Sequence, residues 1–154
     1  MDRDYLYRLC NSYLEDGICL IVFQKKDNSA RVMLATKDMS ECKEWEAETA
    51  LQMLGGRSRN CTIQNGNIAI VDLLLGEVRS FCVDRLITII DLSDREKGDA
   101  AALFNSFRGA VGEIDTVLSM ENLDVSEKLT EAVKRVIGEE NIDKERCVYV
   151  KTQG

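Results

Sequence analysis

A chain of 154 residues that is 45 % hydrophobic and 31 % charged can bury one real core and is too apolar to be a disordered tether. Its 27 acidic against 20 basic residues leave a net charge of −7. That argues against a dedicated non-specific nucleic-acid binder, which needs a net basic face to release phosphate counterions. There is no histidine, so the Ser-His-Asp triad, His-ligated metal centres and imidazole acid–base chemistry are excluded.

Residues 2–15 (DRDYLYRLCNSYLE) place Tyr5, Leu6, Leu9, Cys10, Tyr13 and Leu14 on a helical stripe that Gly17 ends. The run from Ile18 to Phe23 is short and rich in β-branched residues, as a well-buried strand is. Asp27-Asn28-Ser29 supplies turn chemistry and Arg31 to Thr36 a second strand, so a β-hairpin is expected. Asp38 and Glu41 have the spacing of a capping box. A helix is expected from there to about Leu54, closed by Gly55-Gly56. Residues 57–66 read as a polar loop. Three further strands are expected at 67–72, 78–83 and 86–92, with a glycine turn at Gly76 and a tight corner at Asp84-Arg85. After Asp94 the period changes. Ala100, Phe104, Phe107, Val111, Ile114 and Leu118 recur at 4, 3, 4, 3, 4, an a/d seam. A second helix is expected at about 125–138 and a last strand at 147–150. This divides the chain into 1–94, helix plus sheet, and 95–154, a helical extension.

The six cysteines (10, 19, 42, 61, 82 and 147) are widely spaced, with no CxxC pair. They read as reduced thiols in a cytoplasmic protein, not as a disulfide frame or a metal site. MDRDYLYR carries acids where a signal peptide has bases, and no apolar run reaches transmembrane length. No cofactor, metal or membrane partner is expected.

Several short motifs occur in a fixed order: Lys26-Asp27, Arg31, Ala35-Thr36-Lys37, Asp72-Leu73, Gly76, Arg79-Ser80-Phe81 and Val83-Asp84-Arg85. Over residues 18–92 this order resembles the small Sm-like SH3-type proteins encoded mainly by bacteriophages and related to the WYL ligand-sensing domain. The turn differs, with Asn28-Ser29 where that pattern has glycine. The resemblance implies an α+β protein: an Sm-like/SH3-type antiparallel β-barrel with one inserted helix, an N-terminal helix and a C-terminal helical extension. It also implies a phage-type setting of host interaction or anti-defence, in the host cytoplasm.

The basic residues Lys26, Arg31, Lys37, Arg79 and Arg85, with the aromatic Phe81, are the candidate ligand site, because a guanidinium fork suits phosphate. The plainer alternative is that Arg79 and Arg85 pair with Asp72, Glu77 or Asp84 and only fix a hairpin. Phe104, Phe107, Val111, Ile114 and Leu118 are the candidate partner surface, for a host protein or for a homodimer or larger homo-oligomer through 100–118; equally, the seam can pack within the chain, on the barrel or on the 125–138 helix. The expected function is non-enzymatic, stoichiometric binding that blocks a host protein or sequesters a small phosphorylated nucleotide. A single-stranded nucleic-acid-binding Sm-like module is the alternative.

Overall fold

The computed structural model describes residues 2–25, 30–118 and 149–150, with side chains for those up to Gly109. Helix α1 (Arg3–Asp16) precedes a hairpin of β1 (Cys19–Gln24) and β2 (Ala30–Thr36). Helices α2 (Met39–Glu44) and α3 (Glu48–Ser58) follow, then the β3 (Asn67–Asp72) and β4 (Glu77–Cys82) hairpin. A 3-10 turn at Val83–Arg85 leads into β5 (Leu86–Asp91), then α4 (Lys97–Leu118) and a short β6 (Tyr149–Val150). The sheet is antiparallel, in the order β4-β3-β2-β1-β5-β6. Among the described residues no pairing joins β4 to β5 or β6, so the sheet is open where the sequence led us to expect a closed barrel. No helix among these residues is long and apolar enough to cross a membrane.

Strand β1 lies near the middle and is buried on both faces. Cys19 and Ile21 face α1, packing with Leu6, Cys10 and Leu14. Leu20 and Val22 face the other layer, with Cys42, Ala47 and Ala50 of the α2–α3 segment and Ala100, Phe104 and Phe107 of α4. That is why the strand reads as an unbroken apolar run and not as an alternation. In β5, Phe23 pairs with Leu86 and Val22 with Thr88, so Ile87 is an extra residue, a β-bulge. It lets Leu86 and Ile89 reach the α1 layer while Ile87 and Ile90 reach the opposite one.

One side chain ties these layers together. The Thr36 hydroxyl, fully buried, donates to Gly17 O at 2.7 Å and accepts from Asp38 N at 3.0 Å. Lys37 N donates to Leu14 O at 2.9 Å. The last carbonyls of α1 are thus satisfied by the end of β2. The same residue supports the cap of α2, where Asp38 Oδ2 accepts from Glu41 N at 3.1 Å, as the capping spacing predicts. Gly17 owes its identity to crowding, since a Cβ there would sit 2.6 Å from Ser93 Cβ.

The expected single helix of 38–54 is two. Ala47 N bonds Cys42 O at 2.7 Å and Glu46 N bonds Lys43 O at 3.1 Å, the two bonds of a Schellman stop. The left-handed position of that motif, normally glycine, is Glu46 at φ 57°. Helix α3 then continues through Gly55 and Gly56 to Ser58. The break is clamped to α4 by Lys97, whose Nζ donates to Glu44 O at 3.1 Å and lies 5.2 Å from the Trp45 ring centroid.

The partner surface proposed for Phe104 and Phe107 is corrected by their burial. Phe107 is 0 % and Phe104 9 % exposed, inside the core shared with the sheet. The first part of the extension therefore completes the layer opposite α1. The side chains of Val111, Ile114 and Leu118, and the helix expected at 125–138, lie outside the described residues.

Two substitutions test this account. Phe107→Ala is expected to cost about 3–5 kcal/mol in urea unfolding, as a buried aromatic truncation does; a loss below about 1 kcal/mol would place the ring outside the core. Glu46→Gly is expected to stabilise by roughly 0.5–1 kcal/mol, because it relieves a left-handed backbone at a non-glycine residue. A loss of stability would contradict the two-helix reading.

Candidate functional site

The 3-10 turn after β4 carries the chain across to β5, which pairs with β1. This brings Arg85 against the mouth of the first hairpin, where its Nη1 donates to Lys25 O at 2.9 Å. Beneath that contact the rings of Phe23 and Phe81 lie 6.2 Å apart at a 34° tilt. The result is an open cleft of about 420 Å³ with Phe23 and Phe81 as walls, Lys25 and Arg85 at the rim, and Asn67 and Ser80 as polar neighbours. Lys25 and Arg85 are exposed and have no carboxylate ion pair among the described residues. Asp84, next to Arg85 in the turn, is held by Arg3, with Nε to Oδ1 at 2.6 Å. Arg3 also donates to Ile63 O at 2.8 Å and Gln64 O at 3.0 Å. It thereby fastens the start of α1 to the loop before β3 and offsets the carboxylate that would otherwise weaken a cationic rim.

The sequence-derived candidates separate into two sets. Arg85 and Phe81 meet in this cleft, although Phe81 is only 3 % exposed and offers little of its ring. Arg31 sits directly across the ladder from Phe23, on the same sheet face, with no ion pair among the described residues. Lys26 lies outside the described residues. Lys37 does not belong to the cluster. It is at the other end of β2, about 20 Å from Arg31 at strand rise, and its Nζ donates to Asn11 Oδ1 at 2.9 Å. Arg79 is structural: its Nε is 3.6 Å from Asp72 Oδ2 and its Nη2 3.5 Å from Glu77 Oε2. Asp72 is 4 % exposed and its Oδ1 accepts from Leu74 N and Leu75 N, both at 3.2 Å, so Arg79 offsets a carboxylate buried to shape the β3–β4 turn. Asn67 and Cys82 were missed because only the hairpin register, which pairs them, sets them beside Arg85.

A second, larger cleft of about 650 Å³ lies between α3 and β4, lined by Ala50, Met53, Arg57, Glu77 and Val78. Arg57 and Glu77 are opposite charges there, so its field favours no anion. Size alone does not make it the better ligand site.

Four of the described thiols, Cys10, Cys19, Cys42 and Cys82, are poorly placed to act as nucleophiles. Burial pushes Cys10 up to about 12, Cys19 well above its ordinary range, and Cys42 up to about 11, where Asp38 and Glu41 add to the shift. Cys82 is raised too, chiefly by burial. Thiolate chemistry needs the reverse, a lowered pKa in an electropositive setting. Among the described residues no three Cys, Asp or Glu side chains gather as a metal site would require.

A raised thiol pKa stabilises the fold below the unfolded value near 9.0 and loses that contribution as pH rises through the folded value. Unfolding free energy is therefore expected to be flat in this respect from pH 7 to about 9 and then to fall, by about 1.4 kcal/mol per pH unit for each such thiol. Cys10→Ala should show a shallower fall between pH 9 and 11 than the parent chain. Parallel curves would contradict the burial assigned to Cys10. In comparison with known proteins, the chain matches no family model, no curated protein and no solved structure.

Proposed function

We propose that the chain is a non-enzymatic binding protein that holds a small phosphorylated nucleotide at the corner between the first hairpin and the 3-10 turn. The observation that carries this reading is the pairing of two cations that have no ion pair among the described residues, Lys25 and Arg85, with an aromatic pair, Phe23 and Phe81, in one open cleft. A base has a π-face to stack on Phe23, and the phosphates meet Arg85 and Lys25, with Arg31 across the ladder from Phe23. Binding is stoichiometric and involves no covalent step.

The order of elements supports the Sm-like/SH3-type kinship on which this proposal also draws. An N-terminal helix, a four-strand meander, a 3-10 corner and a fifth strand returning beside β1 follow one another, with two helices inserted between β2 and β3. In the phage-type setting which that kinship implies, the protein acts in the host cytoplasm by sequestering a nucleotide signal, in host interaction or anti-defence. Blocking a host protein remains the use for whatever the C-terminal extension presents. Single-stranded nucleic acid is disfavoured by the net charge of −7, which repels a long polyanion more than a compact one.

A thermal-shift panel of mono-, di- and cyclic nucleotides, with inorganic pyrophosphate and a short oligonucleotide, tests the proposal. At a hundredfold excess over Kd a cognate nucleotide is expected to add about 2.7 kcal/mol of stability and raise Tm by several degrees. Lys25→Ala and Arg85→Gln should each remove most of that rise, and Lys37→Ala should leave it intact. Silence across the nucleotides at millimolar concentration, or a rise confined to the oligonucleotide, would overturn the reading.

A further inference from the structure

Strand β4 forms one edge of the sheet, and no described residue pairs with its outer side. The outer side of β5 is different, since β6 pairs there, Thr88 with Val150 and Ile89 with Tyr149. A head-to-tail pairing of β4 with β5 of another copy, the kind that builds rings or filaments, would have to displace β6. A pairing of β4 with itself across a two-fold axis displaces nothing described.

The phase of the backbone says which groups are free. Val83 N bonds Gly66 O at 2.9 Å in the register that pairs Asn67 with Cys82 and Asp72 with Glu77. In an antiparallel ladder hydrogen-bonded pairs alternate. Glu77, Arg79 and Phe81 therefore direct N–H and C=O toward β3, whereas Val78, Ser80 and Cys82 direct theirs outward. The chain contains no proline with which to block such an edge.

We propose that β4 is a dimerisation edge, laid antiparallel on β4 of a second copy about a two-fold axis at Val78. This register is chosen by charge. It sets Glu77 opposite the partner's Arg79, and Arg79 opposite the partner's Glu77, at the non-hydrogen-bonded positions where side chains approach most closely. Glu77 is 63 % exposed and lies 3.5 Å from Arg79 Nη2 of its own chain, a long contact, so each charge can add a partner across the axis. A two-fold at Ser80 would instead set Arg79 against Phe81 and Glu77 against Val83, and neither charge would gain a partner across the axis.

Sedimentation velocity of the full chain over a micromolar to submillimolar range tests this. The parent chain is expected to dimerise. Glu77→Lys, which opposes two cations across the axis, should weaken the dimer at least tenfold. Ser80→Pro removes an outward N–H without breaking a bond to β3 and should give a monomer with an unchanged far-UV spectrum. Hydrogen exchange on the parent chain supplies a readout that needs no variant: the Val78 and Ser80 amides should gain protection as concentration rises. A parent chain that stays monomeric throughout, or a dimer indifferent to both substitutions as one through α4 would be, overturns the proposal. So does a dimer that Glu77→Lys leaves unchanged, because the charge match that selects the register is then absent.

Discussion

Strand β1 has no solvent face, and the rest of the molecule follows from that. Leu20 and Val22 on one side and Cys19 and Ile21 on the other all have to be covered, so a layer is required above the sheet and another below it. Helix α1 is short and covers one side. The opposite side takes three helices, α2, α3 and the start of α4. The layers meet at Thr36, whose hydroxyl and neighbouring backbone close the end of α1 and support the start of α2. Both helices are thus referenced to the end of one strand, and the sheet needs no closure into a barrel to bury its faces.

The corner cleft is a by-product of the same arrangement. The sheet returns from β4 to β5 by a 3-10 turn, so the last residue of that turn lands on the mouth of the hairpin. Arg85 and Lys25 become neighbours there, neither ion-paired among the described residues, while Asp84 pairs with Arg3. On a chain of net charge −7 such a patch is local. At physiological salt its reach is about one Debye length, roughly 8 Å. A ligand that fits within that distance gains from the patch, and one that extends beyond it meets the negative remainder.

Much of the fold is legible in the sequence because burial and period agree. The strands at 18–23 and 67–72, the stripe of α1, the cap at Asp38 and the seam at Phe104 and Phe107 are all found as elements. The failures have separate physical causes. The break at Glu46 is hidden because a glutamate occupies a position where glycine usually marks the stop. Gly55 and Gly56 look like an end, yet α3 runs through both of them, exposed, to Ser58. For the seam, apolar spacing gives the stripe but not its partner, and Phe107 belongs to the core of its own chain. The site is harder still. Arg79 and Arg85 share the same composition and lie six positions apart. What separates them is that Arg79 shares the β4 edge with Glu77 and faces a buried Asp72, whereas Arg85 follows a turn that leaves it no ion pair among the described residues.

An anion is expected to bind at this corner and not in the larger cleft beside α3. Amide chemical-shift mapping of the ¹⁵N-labelled chain during titration with a nucleotide diphosphate measures it most directly. The expected shifts cluster at Phe23, Gln24, Lys25, Asn67, Ser80, Phe81, Cys82 and Arg85. Shifts concentrated instead at Ala50, Met53, Arg57 and Val78, or spread evenly over the surface, would contradict it.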